Sequence, residues 1–126
     1  MDSGTAIWKK NFGTKFLGGT SVYKNKDVIF GGVNGVLYSL NAADGSENWH
    51  KETRGTIGSS PLSSGDYIYF TSYDFNIYCV EGISGKELWK YELEGKSKTS
   101  PVIWRDFLVV AADKIVYCFG KNDLKK

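Results

Sequence analysis

The sequence of 126 residues has little of what marks a metal site, a catalytic triad or a membrane protein. Its single histidine, His50, offers neither the partners of a zinc site nor a Ser-His-Asp set. No run of about 18 apolar residues occurs, so we expect no membrane-spanning helix. Residues 1–4 show no basic stretch followed by an apolar one, and the sequence therefore predicts no signal peptide.

The chain also has no large excess of charge of one sign. The formal net charge is +2 at pH 7, whereas dedicated nucleic-acid binders usually carry a strong basic cluster. The sequence thus predicts no nucleic-acid partner. Only two prolines are present, but glycine (15 residues) and aromatic residues (15%) are plentiful. This composition favours many short β-strands over helices.

A short motif, Gly-x-x-x-Trp, recurs at intervals of 41 and 40 residues. Its three copies are Gly4/Trp8, Gly45/Trp49 and Gly85/Trp89. Other columns keep the same phase, namely Ser21, Pro61 and Pro101; Asp27, Asp66 and Asp106; and Tyr38, Tyr78 and Tyr117. A period of this size is typical of propellers and solenoids. We therefore interpret residues 1–126 as one domain of three repeats, approximately 1–43, 44–83 and 84–126.

Each repeat of about 40 residues predicts four short strands. The runs 36–40 and 76–80 have alternating, β-rich character, and an Asp-Gly or Ser-Gly pair suited to a tight turn follows each run. The predicted strands are 5–12, 20–23, 27–31, 36–40, 47–53, 57–62, 67–71, 76–80, 86–93, 98–103, 107–111 and 114–119. The predicted fold class is all-β, with three four-stranded antiparallel sheets that form the blades of a β-propeller.

Cys79 and Cys118 fall at equivalent positions of neighbouring repeats, where the first repeat has Ser39. This position is a small-residue slot on a strand that we expect to be buried. Equivalent positions of adjacent blades normally lie further apart than the Cα separation of a disulfide. We therefore expect two buried free thiols, and nothing in the sequence requires an oxidising compartment.

The stretch from Ser39 to Trp49, repeated from Cys79 to Trp89, has a small residue at its first position, glycine at its seventh and tryptophan at its eleventh. This spacing resembles the tryptophan-docking motif of quinoprotein-like (PQQ-like) β-propellers, and the resemblance covers essentially the whole chain. It implies that each tryptophan packs on the turn of the next blade and ties the blades together. Members of this family are often extracytoplasmic, and the compartment of this chain stays open.

The resemblance also implies what an enzyme of this family would need: a vicinal cysteine pair, calcium ligands and a catalytic aspartate around pyrroloquinoline quinone. This sequence has no adjacent cysteines, and Asp27, Asp66 and Asp106 fall at turn positions. We therefore predict no catalytic, cofactor-binding or metal-binding residues. The predicted function is a non-catalytic module for protein interaction or scaffolding, similar to the propeller repeats of outer-membrane assembly lipoproteins. A fragment of a quinoprotein dehydrogenase is the less favoured alternative.

Three blades are too few to close a ring, because propellers have about 4–8 blades. The predicted strand 5–12 would be the outermost strand of a blade, and the third repeat has no Gly-x-x-x-Trp after it. Two copies that exchange this strand would form a closed six-bladed ring with two-fold symmetry. We therefore expect a homodimer, unless the missing blades belong to a longer chain.

Loops predicted at one end of the blades carry basic residues with an aromatic neighbour. These candidate ligand or partner contacts are Lys15, Arg54, Lys96, Lys98 and Lys114, with Tyr73. Convergent positive charge could hold a small anion or a saccharide, which gives the alternative function of a ligand-binding or sensor propeller. The competing interpretation is ordinary solvated charge, since acidic residues lie nearby. At the opposite end, Trp104 is a candidate partner contact.

Overall fold

The computed structural model describes residues 4–120, which form three antiparallel β-sheets. Their strands are β1 (Ser21–Tyr23), β2 (Asp27–Gly31), β3 (Val36–Asn41), β4 (Glu47–Glu52), β5 (Leu62–Ser64), β6 (Tyr67–Ser72), β7 (Asn76–Glu81), β8 (Glu87–Glu92), β9 (Val102–Trp104), β10 (Phe107–Ala112) and β11 (Ile115–Phe119). Within that range there is no helix, and hence none that is long and apolar enough to cross a membrane. The architecture confirms the predicted all-β class with propeller blades.

Neighbours in the chain are neighbours in each sheet. Strands β1 to β4 form blade 1, β5 to β8 form blade 2, and β9 to β11 form blade 3, which has three strands within the described residues. The turn between the third and fourth strands explains this order locally. Gly45 and Gly85 both adopt φ +75°, a conformation that glycine reaches at little cost, and their N–H groups donate to Asn41 and Glu81. The chain thus reverses where the repeat motif predicts a turn.

The single chain does not form the predicted strand 5–12, because these residues join no sheet. The fourth strand of a blade needs the third strand of the same blade as its partner, as β4 has β3. Blade 1 already contains its own fourth strand. Residues 5–12 therefore lie beside blade 1 as an irregular segment.

The innermost strands begin later than predicted. The predictions 57–62 and 98–103 correspond to β5 and β9, which begin just after Pro61 and Pro101. The ladder also aligns Ser21 with Leu62 and Val102 rather than with the two prolines. The reason is that the turn before β2 has one residue more than the turns before β6 and β10. The same extra residue places Asp27 at the start of β2, whereas Asp66 and Asp106 lie in the turns.

The core consists of two apolar clusters, one at each junction between blades. The cluster between blades 1 and 2 contains Tyr23, Ile29, Leu37, Trp49, Ile57, Ile68, Phe70, Tyr78 and Val80. The cluster between blades 2 and 3 contains Tyr69, Ile77, Cys79, Leu93, Leu108, Val110, Ala112 and Phe119. Each blade is therefore stabilised mainly by its neighbours, as expected for a repeat protein.

Candidate functional site

Trp49 closes the junction between blades 1 and 2. Its ring lies so close to Gly85 that a Cβ built on this glycine would be 2.4 Å from Cε3 of the indole. The indole Nε1 donates a 2.9 Å hydrogen bond to the carbonyl oxygen of Gly82. Trp49 is 8% exposed. The junction therefore buries the apolar ring and provides an acceptor for its N–H group.

Trp8 makes the same pair of contacts with blade 1. A Cβ built on Gly45 would be 2.6 Å from Cε3 of the indole, and Nε1 donates a 2.9 Å hydrogen bond to the carbonyl oxygen of Ala42. Gly45 and Ala42 are the blade 1 equivalents of Gly85 and Gly82. The segment around Trp8 therefore occupies the place that the last strand of a preceding blade would take.

The other two residues of the predicted structural motif lie in different surroundings. Trp89 on β8 is half-buried, and its ring centroid is 6.1 Å from those of Tyr69 and Phe119. Gly4 is exposed, and no atom lies within 4 Å of a Cβ built on it. Gly4 would receive the tryptophan of a preceding blade, which the described residues do not contain.

One face of blade 3, which we call the open face, points away from blade 2 and is uncovered. The strand register identifies its side chains as Val102, Trp104, Phe107, Val109, Ala111, Val116 and Cys118. Trp104 is 58% exposed and Val116 is 70% exposed. A contiguous group of exposed apolar side chains on a soluble protein marks an interaction site.

The same positions of blade 2 are buried. Ile77 and Cys79 are 0% exposed, because blade 3 covers them. The register makes Val116 and Cys118 their equivalents in blade 3, and both are exposed. The open face is therefore a blade interface that no other blade covers among residues 4–120.

Trp104, the predicted partner contact, lies at one end of the open face. Its ring stacks on Phe107 with a centroid distance of 6.0 Å, and the Arg105 guanidinium carbon lies 4.7 Å from its centroid. The equivalent residue of blade 1, Tyr23, is 4% exposed and packs against Gly82 of blade 2. Trp104 thus has the position of an interface residue.

The expectation of two buried thiols is correct for Cys79 and wrong for Cys118. Burial raises the pKa of the Cys79 thiol to about 12. Cys118 is exposed, because no blade covers the open face. Since thiol reagents react with an accessible thiolate, the reactivity of Cys118 reports whether the open face is covered.

The predicted basic residues lie at one end of the blades. The loops that carry them contact the neighbouring turns through hydrogen bonds from the N–H groups of Val33, Tyr73 and Asp113 to the carbonyls of Lys15, Thr56 and Lys96, at 2.8, 2.8 and 3.1 Å. Lys15 and Lys114 are exposed there. Equivalent loops of successive blades thus share one end, but this arrangement does not by itself bring the charges to one point.

Two of these basic residues line a common groove. Lys96 and Lys98 border a groove of about 540 Å³, together with Asp113. The Lys96 ammonium lies 5.5 Å from the centroid of the Tyr73 ring, a cation–π contact. Arg54 borders a different groove.

The groove beside Arg54 has mixed charge. Three basic and four acidic side chains line its volume of about 600 Å³. Lys51 forms an ion pair with Glu87, with Nζ 3.0 Å from Oε1. The Tyr78 hydroxyl donates to Asp74, and burial together with this hydrogen bond raises the pKa of Tyr78. These partners balance the charge, so the groove offers no excess of positive charge to an anion.

The described residues do not fit the quinone and calcium sites of the enzymes that the sequence resembles. Cys79 and Cys118 lie on β7 and β11, in different sheets. Among residues 4–120, no three His, Cys, Asp or Glu side chains are grouped so that they could hold a metal ion. His50 is exposed on β4, with Nδ1 3.0 Å from Glu47 Oε2.

Three solved structures share this fold. BamB from Moraxella catarrhalis has a TM-score of 0.80 and 20% identity, over 95% of this chain and 38% of that chain. The quinohemoprotein alcohol dehydrogenase ADHIIG from Pseudomonas putida HK5 has a TM-score of 0.77 and 12% identity, over 90% of this chain and 20% of that chain. A europium-containing methanol dehydrogenase has a TM-score of 0.65 and 13% identity, over 87% of this chain and 25% of that chain. At these identities the likeness shows the fold alone, and the chain spans less than two fifths of each structure.

No curated protein sequence matches this chain. Residues 1–75 and 58–126 each match the family described as outer membrane protein assembly factor BamB. The two matches overlap and together run along the whole chain, as expected when one repeat unit recurs. The chain therefore belongs to this BamB family of PQQ-like β-propeller repeats.

Proposed function

We propose that the chain is a non-catalytic propeller module that binds other proteins through its blade faces. The observation that carries the proposal is the open face, which exposes apolar side chains at positions that blade 2 buries. The description of the family as an assembly factor supports the proposal. We treat residues 1–126 as one unit of three repeats and, from the same description, place it outside the cytoplasm.

The partner that we propose is a further set of blades. A second copy would provide them symmetrically and give a homodimer with a closed six-bladed ring. In a longer chain, the remaining blades would take the same place. Either partner would cover the open face in the way that blade 3 covers blade 2.

Replacing Val116 with lysine tests whether the open face mediates association. Val116 is 70% exposed, so a single chain tolerates the charge, whereas a covered face would have to bury it without a partner. We expect a folded variant whose self-association, measured by sedimentation, is at least about tenfold weaker. Leu88→Lys is the matched control, because Leu88 is 38% exposed on β8, outside the open face. Association unaffected by Val116→Lys would contradict the proposal.

A second candidate function, the capture of a small anion or saccharide, is favoured by the groove that Lys96 and Lys98 share. Calorimetry separates the possibilities. Titration with pyrroloquinoline quinone and calcium is expected to show no stoichiometric binding. Titrations with inorganic phosphate and with glucose are also expected to show no binding. Saturable phosphate or glucose binding that is lost in Lys96→Ala would favour the second candidate. Stoichiometric binding of the quinone would contradict the non-catalytic proposal.

A further inference from the structure

We infer that the open face and the outer edge of β11 receive residues 5–12 and blade 1 of a second copy, with Trp8 of that copy opposite Cys118. This inference rests on the proposed function, because it names the partner and the strand register for the same open face. It assigns one role to three features that otherwise stand apart: the irregular segment 5–12, the three-stranded blade and the exposed cysteine.

Among the described residues, blade 3 has no fourth strand, and residues 5–12 belong to no sheet. In blades 1 and 2 the third strand pairs on both sides, whereas β11 pairs only with β10 among the described residues. The outer edge of β11 thus presents a row of N–H and C=O groups that can accept another strand. At the opposite end, residues 5–12 occupy the place of a fourth strand beside blade 1. A second copy would provide each end with the part that it lacks.

The complete blades define the register of the added strand. Trp49 and Trp89 each lie directly opposite the small-residue slot of the third strand in their own blade. In blade 3 this slot is Cys118. The same register therefore places Trp8 of the second copy opposite Cys118.

The register also determines the pair two residues further along. Lys51 lies opposite Leu37 in blade 1, so its long stem lies beside an apolar side chain. By the same rule, Lys10 of the second copy lies opposite Val116. The two pairs are therefore equivalent in chemistry as well as in position.

The two surfaces complement each other in size. The centre of the open face consists of short side chains, Val109, Ala111 and Val116. The outward face of blade 1 carries an aromatic cluster that comprises Phe12, Phe16, Phe30 and Tyr38. Phe16 is still 40% exposed in a single chain. Large rings against short side chains fill space in the way that a close-packed interface requires.

One internal contact has no counterpart at the inferred junction. The N–H of Gly19 donates to Ser60 Oγ and the N–H of Ser60 donates to Ser100 Oγ, at 2.8 and 3.0 Å, which links the three blades. The N–H of Ser100 would next meet Gly19 of the second copy, which has no hydroxyl. The junction between copies is therefore weaker than the internal junctions, and we expect it to dissociate on dilution.

Disulfide cross-linking tests the register. In a Cys118→Ser background, Lys10→Cys and Val116→Cys face each other across two copies, and the Cα separation of about 4.5–5.5 Å in an antiparallel pair suits a disulfide. Oxidation should give a covalent product of twice the chain mass. The control pair, Lys9→Cys with Val116→Cys, should give at least about tenfold less, because a shift of one residue turns the side chain to the other face.

The reactivity of Cys118 provides a measurement on the unchanged chain. At dilution, a thiol reagent is expected to modify Cys118 quickly and Cys79 only on unfolding. When the chains associate, the partner covers Cys118, and its reaction should slow by at least about tenfold. Val116→Lys, which should not associate, is expected to keep the fast rate at every concentration.

The outcomes separate the inference from the proposed function. Equal cross-linking of both cysteine pairs would overturn the register. So would the absence of cross-linking in both pairs while the unchanged chain associates. Either result would leave the open-face proposal intact. If a thiol reagent modifies Cys118 as fast in the associated protein as in single chains, the register is overturned as well. A chain that never associates would instead count against the proposed function itself.

Discussion

Replacing Trp49 with alanine is expected to lower the free energy of unfolding by about 3–5 kcal/mol, the cost of truncating a large aromatic side chain in a core. The ring is 8% exposed and lies against Gly85. Its removal leaves a cavity at the junction of blades 1 and 2. It also leaves the carbonyl of Gly82 without its indole donor.

Urea denaturation followed by circular dichroism measures this loss. Trp104→Ala is the control, because Trp104 is 58% exposed, and at low protein concentration its cost should stay below about 1 kcal/mol. Trp89→Ala should fall between the two, since Trp89 is half-buried. A loss of less than about 1 kcal/mol for Trp49→Ala would show that the indole does not hold the blades together.

Deleting residues 1–10 is expected to convert an associated chain into single chains of lower mass. The deletion removes Trp8, which contacts Gly45 and Ala42, and with it most of the segment that we assign to the third blade of a second copy. It retains Phe12, whose ring lies 4.6 Å from that of Tyr38, so blade 1 keeps its aromatic cover. Light scattering reports the mass directly.

Trp8→Ala in the full-length chain controls for a change in folding. We expect it to weaken association while the circular dichroism spectrum stays that of β-sheet. If the shortened chain is folded and still associates as tightly as the full chain, the exchange of this segment is wrong.

Most of the fold could be predicted because the repeat combines two local signals in a constant phase. The run 76–80 is rich in β-forming residues and is followed by Gly85, and the structure places β7 and a tight turn there. A positive φ at a glycine and the β-propensity of a short run are both local properties. They can therefore be predicted from the sequence without knowledge of the neighbouring blades.

The errors concern residues whose structure depends on a neighbour. Residues 5–12 have the sequence of a fourth strand, but a strand forms only in a sheet, and these residues join none of the three sheets that the structure describes. Cys118 has the same local pattern as Cys79, yet Cys79 is buried and Cys118 is exposed, because blade 3 lies beyond blade 2 whereas no described residues form a blade beyond blade 3. Burial at a repeat interface is a property of the junction.

The basic residues show a different limit. Equivalent loops share one end of the blades, as predicted, but Arg54 lies in a groove of mixed charge while Lys96 and Lys98 line another. Spacing along the sequence indicates which loops are neighbours. It does not specify where the flexible side chains of lysine and arginine direct their charge.

The mass of the unchanged chain in solution tests the central claim most directly. Light scattering coupled to size-exclusion chromatography, over a range of loading concentrations, is expected to show a species near twice 14.0 kDa that gives way to single chains on dilution. That result follows if blade faces are the binding surfaces of the protein. A folded species of 14.0 kDa at every concentration would contradict the account.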